Sequence, residues 1–233
     1  MPVRWIVDTE ATLVLWRELS EMPFRLVDRP GGWVADLGGG NGNFVRPLTA
    51  KGARPVSIDP DGEALRGAPV RGVRPVRGSA LHLPIRGGSL DALAGRAVLH
   101  HVPDDLDAAM REVRRVVRPG GLVLFQEPTS GNAIANLARR WFPTERHDPH
   151  ERPLPLDAYV DAVRRHFDVL ETTPWFLLSY LVPHVVARLP ADRRRAGRAL
   201  ARILCGWDRR LLAALPGLRQ RGAYVSILAR RQG

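Results

Sequence analysis

Cysteine and lysine are nearly absent from this sequence. Its 233 residues contain one cysteine, Cys205, and one lysine, Lys51, against 34 arginines. A single cysteine excludes an internal disulfide and a cluster of thiolate metal ligands, and it suits a reducing compartment. The first residues, MPVRWIVDTEATL, also lack the basic start, apolar stretch and small-residue cleavage site of a secretory signal. We therefore expect a cytoplasmic protein.

Long apolar runs, internal repeats and low-complexity linkers are missing as well. One apolar run covers residues 175–182 and stops at Pro183, so it is too short to span a bilayer. A chain of 233 residues is long enough to bury the core of one domain. The sequence therefore predicts a single domain over residues 1–233.

The formal net charge of +11 shows a large excess of basic residues. Such an excess favours a polyanionic partner, for example nucleic acid or an anionic membrane. The arginines are nevertheless spread along the whole chain, which is typical of a GC-rich coding sequence rather than of a phosphate-binding patch. We therefore do not expect nucleic acid as the partner, whereas an anionic small molecule or lipid stays compatible with the charge.

Strand-like and helix-like stretches alternate after Gly32. The strand-like stretches are residues 33–37, 55–58, 73–77, 90–94, 122–126, 167–170 and 223–229. The clearest helix covers residues 104–118, and an arginine-rich helix over about 191–215 precedes the last strand. An apolar pattern from Trp5 to Leu19, within residues 1–32, suits one or two N-terminal helices. The alternation predicts an α/β fold with a doubly wound, mostly parallel sheet and helices on both faces.

A glycine-rich turn follows the first strand. Three alternating glycines permit backbone angles closed to other residues and leave room for a ligand against bare backbone: Gly38, Gly40 and Gly42. The dinucleotide-binding spacing fails, because Asn43 and Val45 occupy the places of its third glycine. Asp36 at the strand end would repel a pyrophosphate but suits a ligand with an ammonium group and a sulfonium. S-adenosylmethionine carries both groups.

A second carboxylate ends the next strand. Asp59 lies 17 residues beyond Gly42, close to the spacing at which doubly wound folds place an acid against ribose hydroxyls. Asp36 and Asp59 could instead be helix caps or turn residues. Two acids at adjacent strand ends, with glycines between them, favour the binding interpretation.

These motifs resemble the class I S-adenosylmethionine-dependent methyltransferases, and within them the small-molecule group related to ubiquinone and menaquinone biosynthesis (the type 11 methyltransferase domain). Residues 36–42 look like that family's first motif, and Asp59 looks like its ribose-binding acid. Residues 78–84 are similar to its adenine-covering segment, residues 98–104 to its loop after strand four, and residues 118–124 to its turn into strand five. The resemblance covers residues 33–128.

The resemblance implies S-adenosylmethionine as cofactor, with S-adenosylhomocysteine as product. The residues it implies for cofactor binding are Asp36, Gly38, Gly40, Gly42, Asp59, Pro60, Ser79, Ala80, Leu81, Arg96, Ala97 and His101. Ser79 stands where this group usually has an aspartate, although a hydroxyl can still accept a hydrogen bond from the adenine amino group. The resemblance also implies an antiparallel last strand beside the sixth. It divides the domain into an N-terminal helical cap (1–32), a cofactor-binding core (33–174), a helical insertion (175–222) and a closing strand (223–233).

Methyl transfer from a sulfonium is an in-line displacement, so the protein mainly aligns the acceptor and excludes water. If the acceptor is a hydroxyl, a histidine suits the removal of its proton. His100 and His101 follow the fourth strand, where ligands of open α/β sheets bind, and either is a candidate base. Glu127, at the end of the fifth strand, is the next candidate for orienting or deprotonating the acceptor. The alternatives are a histidine that packs its own loop and an ordinary strand-end hydrogen bond at Glu127.

Two further segments have open interpretations. Residues 147–151 offer several metal-ligand types, but proline breaks their spacing and the family fold needs no metal, so we expect a polar loop and no metal site. The apolar residues of 175–182 suit an apolar or aromatic acceptor, a peripheral membrane contact, a homodimer contact or simple packing onto the sheet.

The sequence thus favours methylation of a small or lipid-like acceptor at oxygen or carbon, such as a secondary metabolite or a quinone-like compound. An RNA-modifying or DNA-modifying enzyme fits poorly, because the motif after strand four reads Leu99-His100-His101-Val102 and Cys205 lies in a late arginine-rich helix. A non-catalytic protein that binds S-adenosylmethionine is the other alternative.

Overall fold

The computed structural model describes residue 17 and residues 19–69, 72–141 and 152–233. Its centre is one sheet of seven strands in the order β3-β2-β1-β4-β5-β7-β6. The strands are β1 (Trp33–Leu37), β2 (Arg54–Asp59), β3 (Arg74–Arg77), β4 (Leu90–Arg96), β5 (Val117–Pro128), β6 (Asp168–Trp175) and β7 (Tyr224–Arg230). Strands β1 to β5 are parallel, and β7 runs antiparallel between β5 and β6. The predicted fold class, including the antiparallel last strand, is confirmed.

Both faces of the sheet are covered, which explains why its central strands are continuous apolar runs. One apolar cluster joins Leu93 and Phe125 to Met110 and Tyr159 on one face. A second cluster joins Val34, Ala94 and Leu124 to the Met22–Leu26 turn on the other face. Residues 1–16 of the predicted N-terminal cap lie outside the described residues, and Leu19 is buried against the sheet end.

Six helices lie wholly within the described residues, and residues 17 and 19–21 are the described part of a further helix. The six are α1 (Gly62–Leu65), α2 (Leu106–Val116), α3 (Ala133–Trp141), α4 (Leu156–Arg164), α5 (Val182–Val186) and α6 (Ala191–Ala214). Helix α2 buries Leu106, Met110 and Val113, which recur at helical spacing, and its last turn carries basic residues that suit the negative end of a helix.

The structure corrects two predicted boundaries. The sequence predicted a helix up to residue 118 and a strand only from residue 122, but residues 117–121 belong to β5, which begins at Val117. Backbone hydrogen bonds from Gly120 N to Arg231 O (2.9 Å) and from Arg231 N to Gly121 O (2.9 Å) hold this segment in the sheet. Trp175 is the last residue of β6 rather than the first residue of the insertion.

The helical insertion is anchored by Asp208 of α6. This buried carboxylate accepts hydrogen bonds from the backbone N–H groups of Leu177 (2.8 Å) and Ser179 (2.9 Å) and from the Ser179 hydroxyl (2.6 Å). Because these groups start the insertion and Asp208 lies near the end of its long helix, the contact fixes which face of α6 points inward.

Candidate active site

The carboxyl ends of the parallel strands bring the predicted site residues to one edge of the sheet. Asp36 lies in β1 level with Ser57 of β2 and Ala94 of β4, and Arg96 ends β4 level with Gln126 of β5. Open α/β sheets bind ligands at this edge, where the strand order changes direction. In this sheet the change of direction falls between β1 and β4.

The glycine-rich turn has the predicted backbone. Gly38, Gly40 and Gly42 have φ values of 67°, 48° and 75°, which lie in the left-handed region. Gly39, which the sequence analysis did not single out, is required for another reason. A Cβ atom at Gly39 would lie 2.5 Å from Cγ of Asp36 and 2.6 Å from Oγ of Ser57. The run of three consecutive glycines was the signal for this close approach.

Asp36 is buried and lacks part of its hydrogen bonding. Its Oδ2 has no hydrogen-bond partner among the described residues, and the side chain lines a cavity of about 270 Å³. Burial raises the pKa of Asp36 to about 8, while the positive charge of Arg96 acts in the opposite direction. Buried polar groups are normally paired, so an unpaired carboxyl facing a cavity marks a place for a ligand donor.

Arg96 lines the same cavity and is held in place from two sides. Its Nε donates to Oε1 of Gln126 (3.0 Å), and its guanidinium lies 3.9 Å from the ring centroid of Phe44. Nε2 of Gln126 in turn donates to the carbonyl of Leu19 (2.9 Å). Burial lowers the pKa of Arg96 to about 10, so the group stays cationic at neutral pH. The sequence analysis missed Gln126, whose signal is a polar residue within an apolar strand.

The Asp36 carboxyl and the Arg96 guanidinium fit the amino-acid end of S-adenosylmethionine. That end carries an ammonium group and a carboxylate, which are the two charges that Asp36 and Arg96 complement. The remaining lining residues of the cavity are small, polar or half-buried and leave it accessible: Ser20, Gly38, Gly39, Asn43, Phe44 and Pro47.

Asp59 shapes the loop beside the cavity. Its Oδ2 accepts a hydrogen bond from Gly40 N (3.0 Å), and its Oδ1 accepts one from Asp61 N (2.9 Å). Each carboxylate oxygen has a second lone pair, so ribose hydroxyls could still donate to Asp59. Pro60 follows, and its carbonyl accepts from Nε of Arg77 (3.1 Å).

The segment after β3 closes in a short turn. Ser79 is exposed, and its hydroxyl accepts a hydrogen bond from Leu81 N at 3.3 Å. Ala80 is buried, whereas Leu81 is partly exposed. The Ser79 hydroxyl therefore forms a hydrogen bond within its own turn. This turn belongs to the segment that the resemblance predicts to lie beside adenine.

The loop after β4 separates the roles of the candidate catalytic residues. Glu127 is completely buried; its Oε1 accepts from Val98 N and Leu99 N (both 2.9 Å), and its Oε2 lies 3.0 Å from Nδ1 of His100. With both oxygens engaged, Glu127 orients His100. His100 is buried, while the neighbouring His101 is exposed, with 4.3 Å between the two ring centroids.

One backbone feature marks the start of this loop. Ala97, between Arg96 and the histidines, has a φ of 53°, although it carries a side chain. Strained backbone of this kind concentrates at functional sites. Residues 147–151, predicted as a polar loop, lie outside the described residues.

Comparison with known proteins finds methyltransferases that resemble this chain over about half of its length. Residues 35–125 match the family model described as a methyltransferase domain. An uncharacterized methyltransferase from Mycobacterium sp. (strain KMS) is 36% identical over 125 residues, covering 52% of this chain and 47% of that protein. The demethylmenaquinone methyltransferase of Corynebacterium kroppenstedtii is 36% identical over 107 residues, covering 46% of this chain and 45% of that protein. The chain spans about half the length of the curated relatives it matches.

Solved structures agree on the fold. A complex between the Haloferax volcanii Trm112 methyltransferase activator and a methyltransferase matches with a TM-score of 0.66 at 18% identity, covering 97% of this chain and 93% of that chain. The geranyl diphosphate C-methyltransferase of Streptomyces coelicolor A3(2) matches with a TM-score of 0.61 at 16% identity, covering 92% and 79%. Residues 35–125 therefore match the methyltransferase domain model, and the chain shares the fold of the S-adenosylmethionine-dependent methyltransferases, as its motifs predicted.

Proposed function

We propose that this protein transfers a methyl group from S-adenosylmethionine to a small or lipid-like acceptor and leaves S-adenosylhomocysteine as the product. The observation that carries the proposal is the buried, incompletely paired Asp36 carboxyl beside Arg96 in one cavity. When bound, S-adenosylmethionine supplies a methyl group that its positively charged sulfur activates. The methyltransferase domain family and the methyltransferase relatives support the same reaction.

The residues at the strand ends have distinct proposed roles in binding. Asp36 accepts hydrogen bonds from the ammonium group of the cofactor, and Arg96 holds its carboxylate. The glycine turn allows close approach to bare backbone. Asp59 accepts from the ribose hydroxyls. The remaining contacts carried over from the resemblance lie beside the adenine and the sulfur: Pro60, Ser79, Ala80, Leu81, Ala97 and His101.

His100 is the proposed general base for an acceptor hydroxyl. A carboxylate at Glu127 favours the tautomer in which Nδ1 of His100 carries the hydrogen, because that hydrogen can be donated to Oε2. Nε2 is then free of hydrogen and able to take the proton of the acceptor while the methyl group moves to the acceptor atom. Glu127 acts through His100 and is a positioning residue.

Aromatic side chains from the insertion and β7 pack together in one cluster, which would offer an apolar or aromatic surface to an acceptor bound beside it. Phe176 and Tyr224 have ring centroids 6.4 Å apart, and Tyr180 lies 6.3 Å from Tyr224. Arg139 places its guanidinium 5.6 Å from the Tyr180 ring. Two relatives are named as a demethylmenaquinone methyltransferase and a malonyl-[acyl-carrier protein] O-methyltransferase. We therefore propose O- or C-methylation of a quinone-like compound or another secondary metabolite.

Calorimetric titration with S-adenosylmethionine tests the proposal. The wild-type protein should show saturable binding, and Asp36→Asn should weaken it at least about tenfold, because the variant cannot ionise when the ammonium group binds beside it. Asp192→Asn makes the same change at an exposed position of α6 and should bind as the wild type does. Absence of binding by the wild-type protein, or equal binding by both variants, would overturn the proposed function.

A further inference from the structure

Helix α6 presents an apolar stripe to solvent. Its inward face is set by Gly197, Ala201, Asp208 and Leu212, which are buried. On a solvent-facing side of the helix, the residues at spacing i, i+3 and i+7 are large, apolar and exposed, and such spacing puts them in one stripe. Their exposed fractions are 50% for Leu200, 56% for Ile203 and 56% for Trp207.

The same helix is strongly basic. Its 24 residues contain seven arginines: Arg193, Arg194, Arg195, Arg198, Arg202, Arg209 and Arg210. The helix has two acids, of which Asp192 is exposed and Asp208 is buried and hydrogen-bonded. The following helical turn, Pro216–Arg221, adds two more arginines and no acid. Arg193 and Arg210 lie seven residues from Leu200 and Ile203 respectively, so they border the apolar stripe, and this side of α6 combines positive charge with exposed apolar area.

This combination selects one kind of partner. A second copy of the chain would bring its own seven arginines against these and would be repelled. A nucleic acid would pair with the arginines, but its phosphates would leave the Leu200, Ile203 and Trp207 stripe without apolar contacts. An anionic lipid surface satisfies both features, because the apolar side chains enter the acyl boundary while the arginines meet the headgroups.

We propose that α6 docks this protein onto the surface of an anionic phospholipid bilayer, with Leu200, Ile203 and Trp207 inserted. In the described part of the chain, no helix is long and apolar enough to cross a membrane, so the helix lies along the interface. Residues 175–182 were one predicted place for a membrane contact, but Phe176, Leu177 and Val182 are buried. The docking surface is separate from the cofactor cavity and does not depend on the proposed reaction.

Co-sedimentation with vesicles tests this surface. The wild-type protein should partition at least about tenfold more strongly onto phosphatidylcholine vesicles containing phosphatidylglycerol than onto pure phosphatidylcholine vesicles, and added salt should weaken binding. Ile203→Glu should reduce the partition roughly tenfold, because a charge would enter the acyl boundary. Leu170→Glu is the matched control: Leu170 is 48% exposed on β6, and the variant has the same net charge.

The control should lose less than about twofold, which separates insertion of α6 from attraction by the net charge alone. Equal losses in the two variants would overturn the proposal, as would wild-type binding that does not distinguish the two vesicle types. A lipid-free dimer that Ile203→Glu dissociates, seen by analytical ultracentrifugation, would assign the stripe to a second copy instead. Calorimetric titration of both variants with S-adenosylmethionine monitors the cofactor site independently.

Discussion

Glu127 illustrates how one buried side chain can serve both the fold and the site. Its Oε1 holds the two backbone N–H groups that start the loop after β4, and its Oε2 contacts His100. A carboxylate that faces two N–H groups and an imidazole is satisfied without solvent. The position of His100 therefore depends on Glu127 as much as on its own loop.

Glu127→Gln should change the tautomer of His100 while leaving the loop in place. The amide oxygen can still accept from Val98 N and Leu99 N, but the amide NH₂ would donate to Nδ1 and move the ring hydrogen to Nε2. We expect nitrogen NMR of the imidazole to report this change, and S-adenosylmethionine affinity to stay within about twofold. With an acceptor in hand, kcat should fall roughly 100-fold.

His101→Gln supplies the control, because it identifies the NMR signal of His101 by removing it, while the contact between Glu127 and His100 is kept. If His100 has the same tautomer with Glu and with Gln at position 127, Glu127 does not orient it.

Among the helices, α6 is held in position by a contact in its second half. Asp208 receives hydrogen bonds from successive N–H groups at the start of the insertion, so a single carboxylate joins the two ends of this segment. The buried face of α6 also packs Ala201 against Val182 and Val186 of α5. These contacts set the orientation of the outer, arginine-rich face.

Asp208→Asn should destabilise the insertion. An asparagine offers one oxygen to these donors and turns its own NH₂ toward them, which leaves buried donors unpaired at a cost of about 3 kcal/mol. Hydrogen exchange should increase in residues 176–214, and the free energy of unfolding measured in urea should fall. The exposed Asp192→Asn variant should keep wild-type exchange, and a similar loss in both variants would rule out the anchor.

Over the whole molecule, the burial of Asp36 links stability to pH. The pKa of Asp36 is about 8 in the folded protein against 3.8 for the ordinary side chain. Between these values the folded state holds a proton that the unfolded state has released, so its contribution to stability decreases as pH rises. This contribution is complete below about pH 4 and is lost as pH approaches 8.

Denaturant unfolding from pH 5 to pH 8 should therefore show the ligand-free wild type losing stability relative to Asp36→Asn. The slope of the difference should be about 1.4 kcal/mol per pH unit, because asparagine has no proton to exchange. Asp192→Asn should follow the wild-type curve. A constant difference between wild type and Asp36→Asn would mean that Asp36 is already ionised at pH 5.

The sequence by itself determined the succession of strands and helices along the chain, the glycine-rich turn and the acids at the strand ends. Residues 33–37 form β1 as predicted, and the left-handed Gly38, Gly40 and Gly42 follow it. These features depend on local signals: apolar runs for buried strands, and glycine where the backbone needs a positive φ.

Only the tertiary structure decided which groups meet. Gln126 reaches Arg96 across 30 residues, Glu127 reaches His100 across 27, and Asp208 reaches Leu177 across 31. The early start of β5 depends on Arg231 in the same way. No local pattern encodes these partners, because the pairing and packing of distant segments determine them. For the same reason only the tertiary structure shows which side of α6 is exposed: Ala201 and Asp208 are buried, and the apolar stripe faces solvent.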